Sequence, residues 1–280
     1  MSMVRSINKV VTGQIKQDGA GVKLVRVFGY HDVKDFDPFL MLDAFDSSNP
    51  GDYIKGFPWH PHRGIETVTY LIEGMIEHGD SLGNKGNILD GDCQWMTAGS
   101  GIIHQEMPQP SNRMLGVQLW VNLPAKYKMT APKYRDIVKQ NVPVVEDQDS
   151  QVRIISGSYK GIAGAIGGEY VKTQFMDIQL KGNCQWYLHT EKDANLFVYI
   201  IQGEGCFQPE SEEYISEKRA VLFHEGETFW VKAAEQGIRF LLVAGTPLRE
   251  SIAWGGPIVM NTKEELNQAF KEIDEGTFIK

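Results

Sequence analysis

Two short stretches of this sequence place metal-binding side chains at alternate positions, and they constrain the fold more than any other feature. They are GFPWHPHRGIE at residues 56–66 and GSGIIHQEMP at residues 99–108. In an extended chain, residues two apart point to the same face. His60 and His62 would therefore project together from one strand, and His104 and Glu106 from another. Two such strands facing each other could close three imidazoles and one carboxylate around a single ion.

This set of ligands is typical of a redox metal with open coordination positions. Structural zinc sites favour thiolates and full tetrahedral closure, whereas imidazole and carboxylate suit Fe(II), Mn(II), Ni(II) or Cu(II). An open position is where a substrate or dioxygen would bind. Glu66 competes with Glu106 for the fourth place, because His60, His62 and Glu66 have the H-x-H-x3-E spacing that is usual in the first metal motif of cupins.

Composition describes an ordinary globular chain and excludes several functions. The 280 residues are 42% hydrophobic and 23% charged, enough for one large or two medium domains. A net charge of −8 without a long basic run argues against direct nucleic-acid binding. The polar first residues and the lack of a long apolar run predict a cytoplasmic protein without a membrane segment. The 3 cysteines are widely spaced, which argues against disulfides and thiolate metal ligation.

The rest of the chain predicts an all-β protein with an internal duplication. Short β-branched and aromatic runs are punctuated by glycines, and FVYIIQG at 197–203 echoes VTYLIEG at 68–74. The Lys- and Pro-bearing stretch 124–143 is the predicted linker between the halves. Alternation in residues 116–124 turns Gln118 to one face with Trp120, where it could line a pocket or pair across strands.

The second half lacks a matching H-x-H pair, so His189 and His224 are not expected to bind metal, and His31 and His78 are predicted to be solvated. A helix is predicted near residues 263–275, where Thr262 and Glu265 form a capping box. Its apolar stripe is Leu266, Phe270 and Ile273.

Five motifs together resemble the pirin family of bicupins, densely over residues 25–125. They are DPFLMLD at 37–43, GFPWHPHRGIETVTYLIEG at 56–74, QWMTAG at 94–99, IHQEMP at 103–108 and QLWVNL at 118–123. The resemblance implies two double-stranded β-helix (cupin, jelly-roll) barrels with a C-terminal helix. It further implies an N-terminal metal-binding cupin domain at 1–130 and a C-terminal degenerate cupin domain with the terminal helix at 131–280.

The resemblance also implies a site. Its metal ligands would be His60, His62, His104 and Glu106, with Glu66 and Gln118 behind these ligands or lining the pocket. The ion would be Fe(II) before Mn, Ni, Cu or Zn. Several pirin-like proteins act as quercetin 2,3-dioxygenases, so the implied reaction cleaves a flavonol with dioxygen and releases carbon monoxide, with Glu106 as the catalytic base. Eukaryotic members are described as transcriptional co-regulators and some bacterial ones as modulators of metabolic enzymes, so the alternative is a metal or redox sensor that binds a protein partner.

Overall fold

The computed structural model describes residues 3–280, and strands make up most of it. The first twelve are β1 (Ile7–Thr12), β2 (Gln14–Asp18), β3 (Val22–Phe28), β4 (Phe39–Ser47), β5 (Phe57–His62), β6 (Ile65–Glu73), β7 (Ile76–Asp80), β8 (Lys85–Ile88), β9 (Cys93–Thr97), β10 (Ile102–Pro108), β11 (Met114–Asn122) and β12 (Lys133–Ile137). The other strands are β13 (Val144–Glu146), β14 (Ser150–Ser156), β15 (Ser158–Tyr159), β16 (Ile162–Ala163), β17 (Thr173–Leu180), β18 (Gln185–His189), β19 (Asn195–Cys206), β20 (Ile215–Ser216), β21 (Arg219–Phe223), β22 (Thr228–Gly245), β23 (Ala253–Gly255) and β24 (Ile258–Met260).

Helices are few and mostly short. They are α1 (Val33–Phe36), α2 (Lys263–Asp274) and the 3-10 turns Tyr30–Asp32, Pro50–Asp52, Ala125–Tyr127 and Lys139–Asn141. Within the part of the chain that the structure describes, none has the length and apolar character needed to cross a membrane. The mainly β architecture and the C-terminal helix confirm the predicted fold class.

The chain divides by its contacts into two compact units. The first unit comprises the segment up to Gly13, Lys34–Pro38 and Gln140–Pro247, and the second comprises Gln14–Val33, Phe39–Lys139 and Leu248–Lys280. This division differs from the sequence-based domains at 1–130 and 131–280, because segments near both ends of the chain pack with the opposite half. The terminal helix therefore belongs to the second unit, although it was expected with the C-terminal domain.

Besides the short pair β23-β24, the second unit contains two antiparallel sheets. One has the strand order β12-β9-β6-β11-β4-β3-β2, and the other has the order β5-β10-β7-β8. The predicted metal-binding segments are the neighbouring strands β5 and β10. β5 lies at the edge of its sheet, where Pro61 can be accommodated because it has no N–H to donate to a second neighbour. The pairing of β5 with β10 is irregular between His104 and Glu106, which is a bulge beside the site.

The first unit has one large sheet with a filled interior. Its path is β1-β21-β19-β22-β17-β14-β13, with β18 paired to β22 and β20 paired to β19. Aromatic rings occupy the core at centroid separations of 5.2–6.2 Å, among them Trp186, Phe223, Phe229 and Phe240. Rings packed at these distances contribute both apolar burial and edge-to-face contacts. The interior of this unit is therefore a hydrophobic core.

Helix α2 begins and packs largely as its sequence predicts. The Thr262 hydroxyl accepts from the Glu265 amide at 3.1 Å, and the Glu265 carboxylate accepts from the Thr262 amide at 3.0 Å, which is the predicted capping box. Leu266 and Ile273 pack on a buried cluster that includes Ile258. Phe270 was predicted on the same face, but it keeps 38% of its surface exposed and lies outside that cluster.

Replacing Phe229 by Ala should lower the free energy of unfolding of the first unit by about 3–5 kcal/mol, because the buried ring leaves a cavity in a packed core. Denaturant unfolding followed by circular dichroism would measure the change. Tyr187→Ala is the matched control, since Tyr187 lies on β18 next to Trp186 but is 62% exposed. A loss below 1 kcal/mol for Phe229→Ala would show that the aromatic core does not hold this unit together.

Candidate metal centre

Three histidines meet on β5 and β10. His60 is the cross-strand partner of His104, and His62 follows on the same face of β5. The ligand atoms of His60, His62 and His104 all lie within 4.8 Å of one another. The His60 and His104 rings are 4.4 Å apart at their centroids, and the His62 and His104 rings are 5.0 Å apart. The alternation noted in the sequence therefore brings these three imidazoles to one point.

Hydrogen bonds at the outer nitrogens orient two of these rings. His60 Nδ1 lies 2.9 Å from the Pro58 carbonyl, and His62 Nδ1 lies 3.0 Å from the Pro257 carbonyl. A carbonyl accepts only, so each Nδ1 must carry the proton, and each Nε2 is left with a lone pair. The two Nε2 atoms face each other at 3.0 Å. Two lone pairs at that distance repel unless a proton or a cation lies between them.

His104 provides an independent test of whether the residues fit a metal. It is only 1% exposed, and neither ring nitrogen finds a hydrogen-bond partner among the described residues. A buried imidazole without partners loses the hydrogen bonds it would make to water, which costs about 1–3 kcal/mol. A divalent cation would satisfy His104 and the facing lone pairs of His60 and His62 together. The residues present fit such an ion.

Burial keeps two of these imidazoles neutral. Desolvation, reinforced by the neighbouring His60, lowers the pKa of His62 to about 3 against the opposing effect of the Pro257 carbonyl. Desolvation also lowers the pKa of His104 well below its ordinary value, and His62 and His60 act in the same direction. Metal ligands must be deprotonated. At neutral pH these two rings therefore require no proton release before they bind a cation.

Glu106 lies on the same strand as His104 but outside the group of three. Thr69 donates to its Oε1 at 3.0 Å, and Gln118 donates to its Oε2 at 3.2 Å. It is 3% exposed and lies at the end of a small pocket with Gln118. A carboxylate has about four lone-pair sites, so these two hydrogen bonds leave acceptor capacity on both oxygens. Its place as fourth ligand stays a prediction.

Glu66 is engaged elsewhere. Its Oε1 accepts from the Thr97 hydroxyl at 2.6 Å and from the Arg135 guanidinium at 3.0 Å. Burial raises its pKa, against the effects of Thr97 and Arg135. It does not belong to the group of three histidines. The Glu66 carboxylate is thus paired with Arg135.

His78 was predicted to be solvated, and this is wrong. It lies on β7 opposite Glu106 and is 5% exposed. Its ring stacks on Tyr134 at 5.1 Å, with Nδ1 at 3.1 Å from the Tyr134 hydroxyl. The missed signal is the alternation of Ile76, His78 and Asp80 on one face of β7, which places a polar residue beside Glu106.

A small pocket opens against Glu106 and Gln118. Apart from these two residues its lining is apolar or aromatic. The three aromatic side chains are Phe45, Tyr53 and Phe57, and the other residues of the wall are Val22, Ile76, Pro108 and Met114. Ligand sites typically combine an apolar wall with a few placed polar groups. Gln118, which the sequence placed either in a pocket lining or in a cross-strand pair, lines this pocket and donates to Glu106.

Comparisons with known proteins identify the family of this chain. Family models described as Pirin and as Pirin C-terminal cupin domain match residues 21–121 and 175–279. A Pirin-like protein of Caulobacter vibrioides is 43% identical over 278 residues, covering 98% of this chain and 99% of that one.

Two solved structures share the fold. A quercetin 2,3-dioxygenase from Acinetobacter baumannii matches with a TM-score of 0.89 and 31% identity, covering 98% of each chain. A bacterial pirin from Escherichia coli in complex with nickel(II) matches with a TM-score of 0.66 over 85% of this chain and 98% of that one. Its 19% identity shows the fold alone.

Replacing His62 by Ala should lower the bound metal per chain at least about tenfold, because the two remaining imidazoles no longer surround the ion. Elemental analysis of purified protein would measure this. His224→Ala is the control, since His224 is exposed and outside the group. Metal content in His62→Ala equal to that of the control would place the metal elsewhere.

Proposed function

This chain belongs to the pirin family, and from that premise we propose that it is a metal-dependent dioxygenase that cleaves a flavonol such as quercetin. The observation that carries the proposal is the group of three imidazoles, two of them buried and held neutral, beside a carboxylate and an apolar pocket. The similarity to the quercetin 2,3-dioxygenase of Acinetobacter baumannii supports it. In the proposed reaction one dioxygen molecule is incorporated, the heterocycle opens and one carbon monoxide is released, so the atoms balance without another reductant.

The proposed metal ligands are His60, His62, His104 and Glu106, and the proposed ion is Fe(II). When bound, such an ion lowers the pKa of an oxygen ligand and supports chemistry with dioxygen. Mn, Ni, Cu or Zn are the alternatives, and the nitrogen and oxygen donor set does not choose among them.

The protein's own contribution is to hold the substrate and to take its proton. In the proposed complex the rings of a flavonol would contact the apolar wall of the pocket, with the 3-hydroxyl directed toward Glu106, and the small pocket would have to widen to admit them. That carboxylate is fixed from two sides by Thr69 and Gln118, so it presents an acceptor in one orientation. Glu106 would accept the proton of the 3-hydroxyl as a general base. The donors Thr69 and Gln118 are neutral, so Glu106 keeps lone pairs that can accept this proton.

Oxygen uptake with quercetin tests the proposal directly. Protein reconstituted with Fe(II) should consume dioxygen and release carbon monoxide in equal amounts when quercetin is added. Wild-type protein loaded with each of the five metals in turn would identify the ion that supports turnover. Fully loaded protein that consumes no dioxygen with quercetin would favour the alternative, in which the same site serves a non-catalytic regulator that binds a protein partner.

Replacing Glu106 by Gln should lower the turnover number with quercetin by about a hundredfold or more while metal content falls far less. An amide keeps the shape and the hydrogen bonds but cannot accept the proton. Turnover and elemental analysis on the same preparation would separate the two effects. Glu66→Gln is the matched control, because Glu66 is an equally buried glutamate that is bound to Arg135. Near-normal turnover by Glu106→Gln at full metal content would show that Glu106 is not the base.

A further inference from the structure

The C-terminal segment runs directly behind the metal-binding strand β5. Ile258 bridges Arg63 in parallel, and the Val259 amide donates to the Arg63 carbonyl at 3.1 Å. The carbonyl of Pro257, the residue before Ile258, accepts a hydrogen bond from His62 Nδ1 at 3.0 Å. The one hydrogen bond that fixes the proton on the outer nitrogen of His62 therefore comes from a residue almost two hundred positions later in the chain.

The backbones of the C-terminal segment and of the residues after β5 are packed so closely that neither can move far. A Cβ added at Gly64, where φ is +78°, would lie 1.9 Å from the Val259 carbonyl oxygen. The buried Lys128 ammonium donates to the carbonyls of Gly64 and Val259, each at 2.8 Å, and so ties the two segments together. A small shift of the C-terminal segment would therefore move the Pro257 carbonyl relative to His62.

The Arg63 guanidinium holds the far end of the same segment. It is 2% exposed, and its Nε donates to the Ser100 carbonyl at 2.7 Å. The same group donates to the Phe278 carbonyl at 2.9 Å, contacts the Glu272 carboxylate at 2.8 Å and lies 4.2 Å from the Phe278 ring centroid. Arg63 follows His62 directly in sequence. Arg63, which is next to the proposed metal ligand His62, is thus fixed by contacts with helix α2 and with the residues that follow it.

Strand β10, which carries His104, also contacts the C-terminal segment. Ile103, the residue before His104, packs on the cluster formed by Ile258, Met260, Ala269 and Phe278. On the other side of His62, the Trp120 ring meets the imidazole edge to face at 5.0 Å and lies 5.7 Å from Trp254. Both strands that carry histidines are therefore backed by residues of the segment Trp254–Phe278.

We propose that the segment Trp254–Phe278 is a positioning element for the metal centre, acting through the Pro257 carbonyl on His62 and held in place by the Arg63–Glu272 ion pair. The inference rests on the metal centre of the proposed function but not on its substrate. Partners that orient a metal-binding histidine typically change metal affinity by 10–100-fold when they are lost. Because linkage is reciprocal, metal binding must also stabilise the segment.

Glu272→Gln tests the proposal in the full-length protein, with Co(II) as the probe. The variant should bind Co(II) about tenfold more weakly, and the visible absorption of the fully loaded protein should shift because His62 is less well oriented. Glu275→Gln is the matched control, since Glu275 lies one turn later on an exposed face and pairs with Lys271. Lys280→Gln removes the other cation near Glu272 and should leave Co(II) binding unchanged.

Hydrogen exchange measures the reciprocal effect in wild-type protein. Amide protons in β24 and α2 should exchange more slowly with Co(II) bound than without it, because metal binding favours the docked segment. If Glu272→Gln does not fold, Phe278→Leu removes the aromatic face and keeps the backbone carbonyl, and it should weaken Co(II) binding severalfold.

The outcomes separate this inference from the proposed function. Co(II) binding by Glu272→Gln as tight as by Glu275→Gln, with identical absorption spectra, or exchange in β24 and α2 that is independent of metal, would overturn the positioning role while leaving the metal centre intact. Co(II) binding that is insensitive to His62→Ala would instead remove the metal centre on which both rest. Neither result depends on turnover of quercetin.

Discussion

The site depends on one constraint: three imidazoles, two of them buried, lie within 4.8 Å of one another with too few hydrogen-bond donors for their lone pairs. His60 and His62 use their outer nitrogens on carbonyl groups and so direct lone pairs at each other, while His104 has no partner at either nitrogen among the described residues. Such an arrangement is unfavourable in an empty protein interior. It becomes favourable when a cation supplies the missing positive charge, so the site and its ion must be considered together.

The interiors of the two units differ in polarity. In the first unit, Trp186, Phe229 and Phe240 fill the space between strands and leave a hydrophobic core. In the second unit, comparable space is lined by histidines, Glu106 and Gln118 beside a small pocket. A duplicated β unit can therefore have one copy that contributes stability and another in which polar groups replace part of the core. The polar copy gains support from the C-terminal segment, which packs against it through Ile258 and Phe278.

The sequence was sufficient for the features that depend on local spacing. The alternation of His60 and His62, the position of β5 at a sheet edge beside Pro61, and the capping box of α2 each follow from residues a few positions apart. Features set by distant residues could not be predicted in this way. The pairing of Glu66 with Arg135, the burial of His78 under Tyr134 and the contact of Pro257 with His62 all join residues far apart in sequence. The position of α2 in the second unit likewise depends on contacts between residues far apart in sequence.

His60, His62 and His104 should bind one metal ion, His60 and His62 through Nε2 and His104 through one of its two unpartnered ring nitrogens. X-ray absorption spectroscopy of the iron-loaded protein at the metal edge measures this most directly. The account predicts a first shell of nitrogen and oxygen atoms at about 2.0–2.3 Å, with outer-shell scattering from three imidazole rings. A first shell that contains sulfur, or outer-shell scattering from no more than one imidazole, would contradict it.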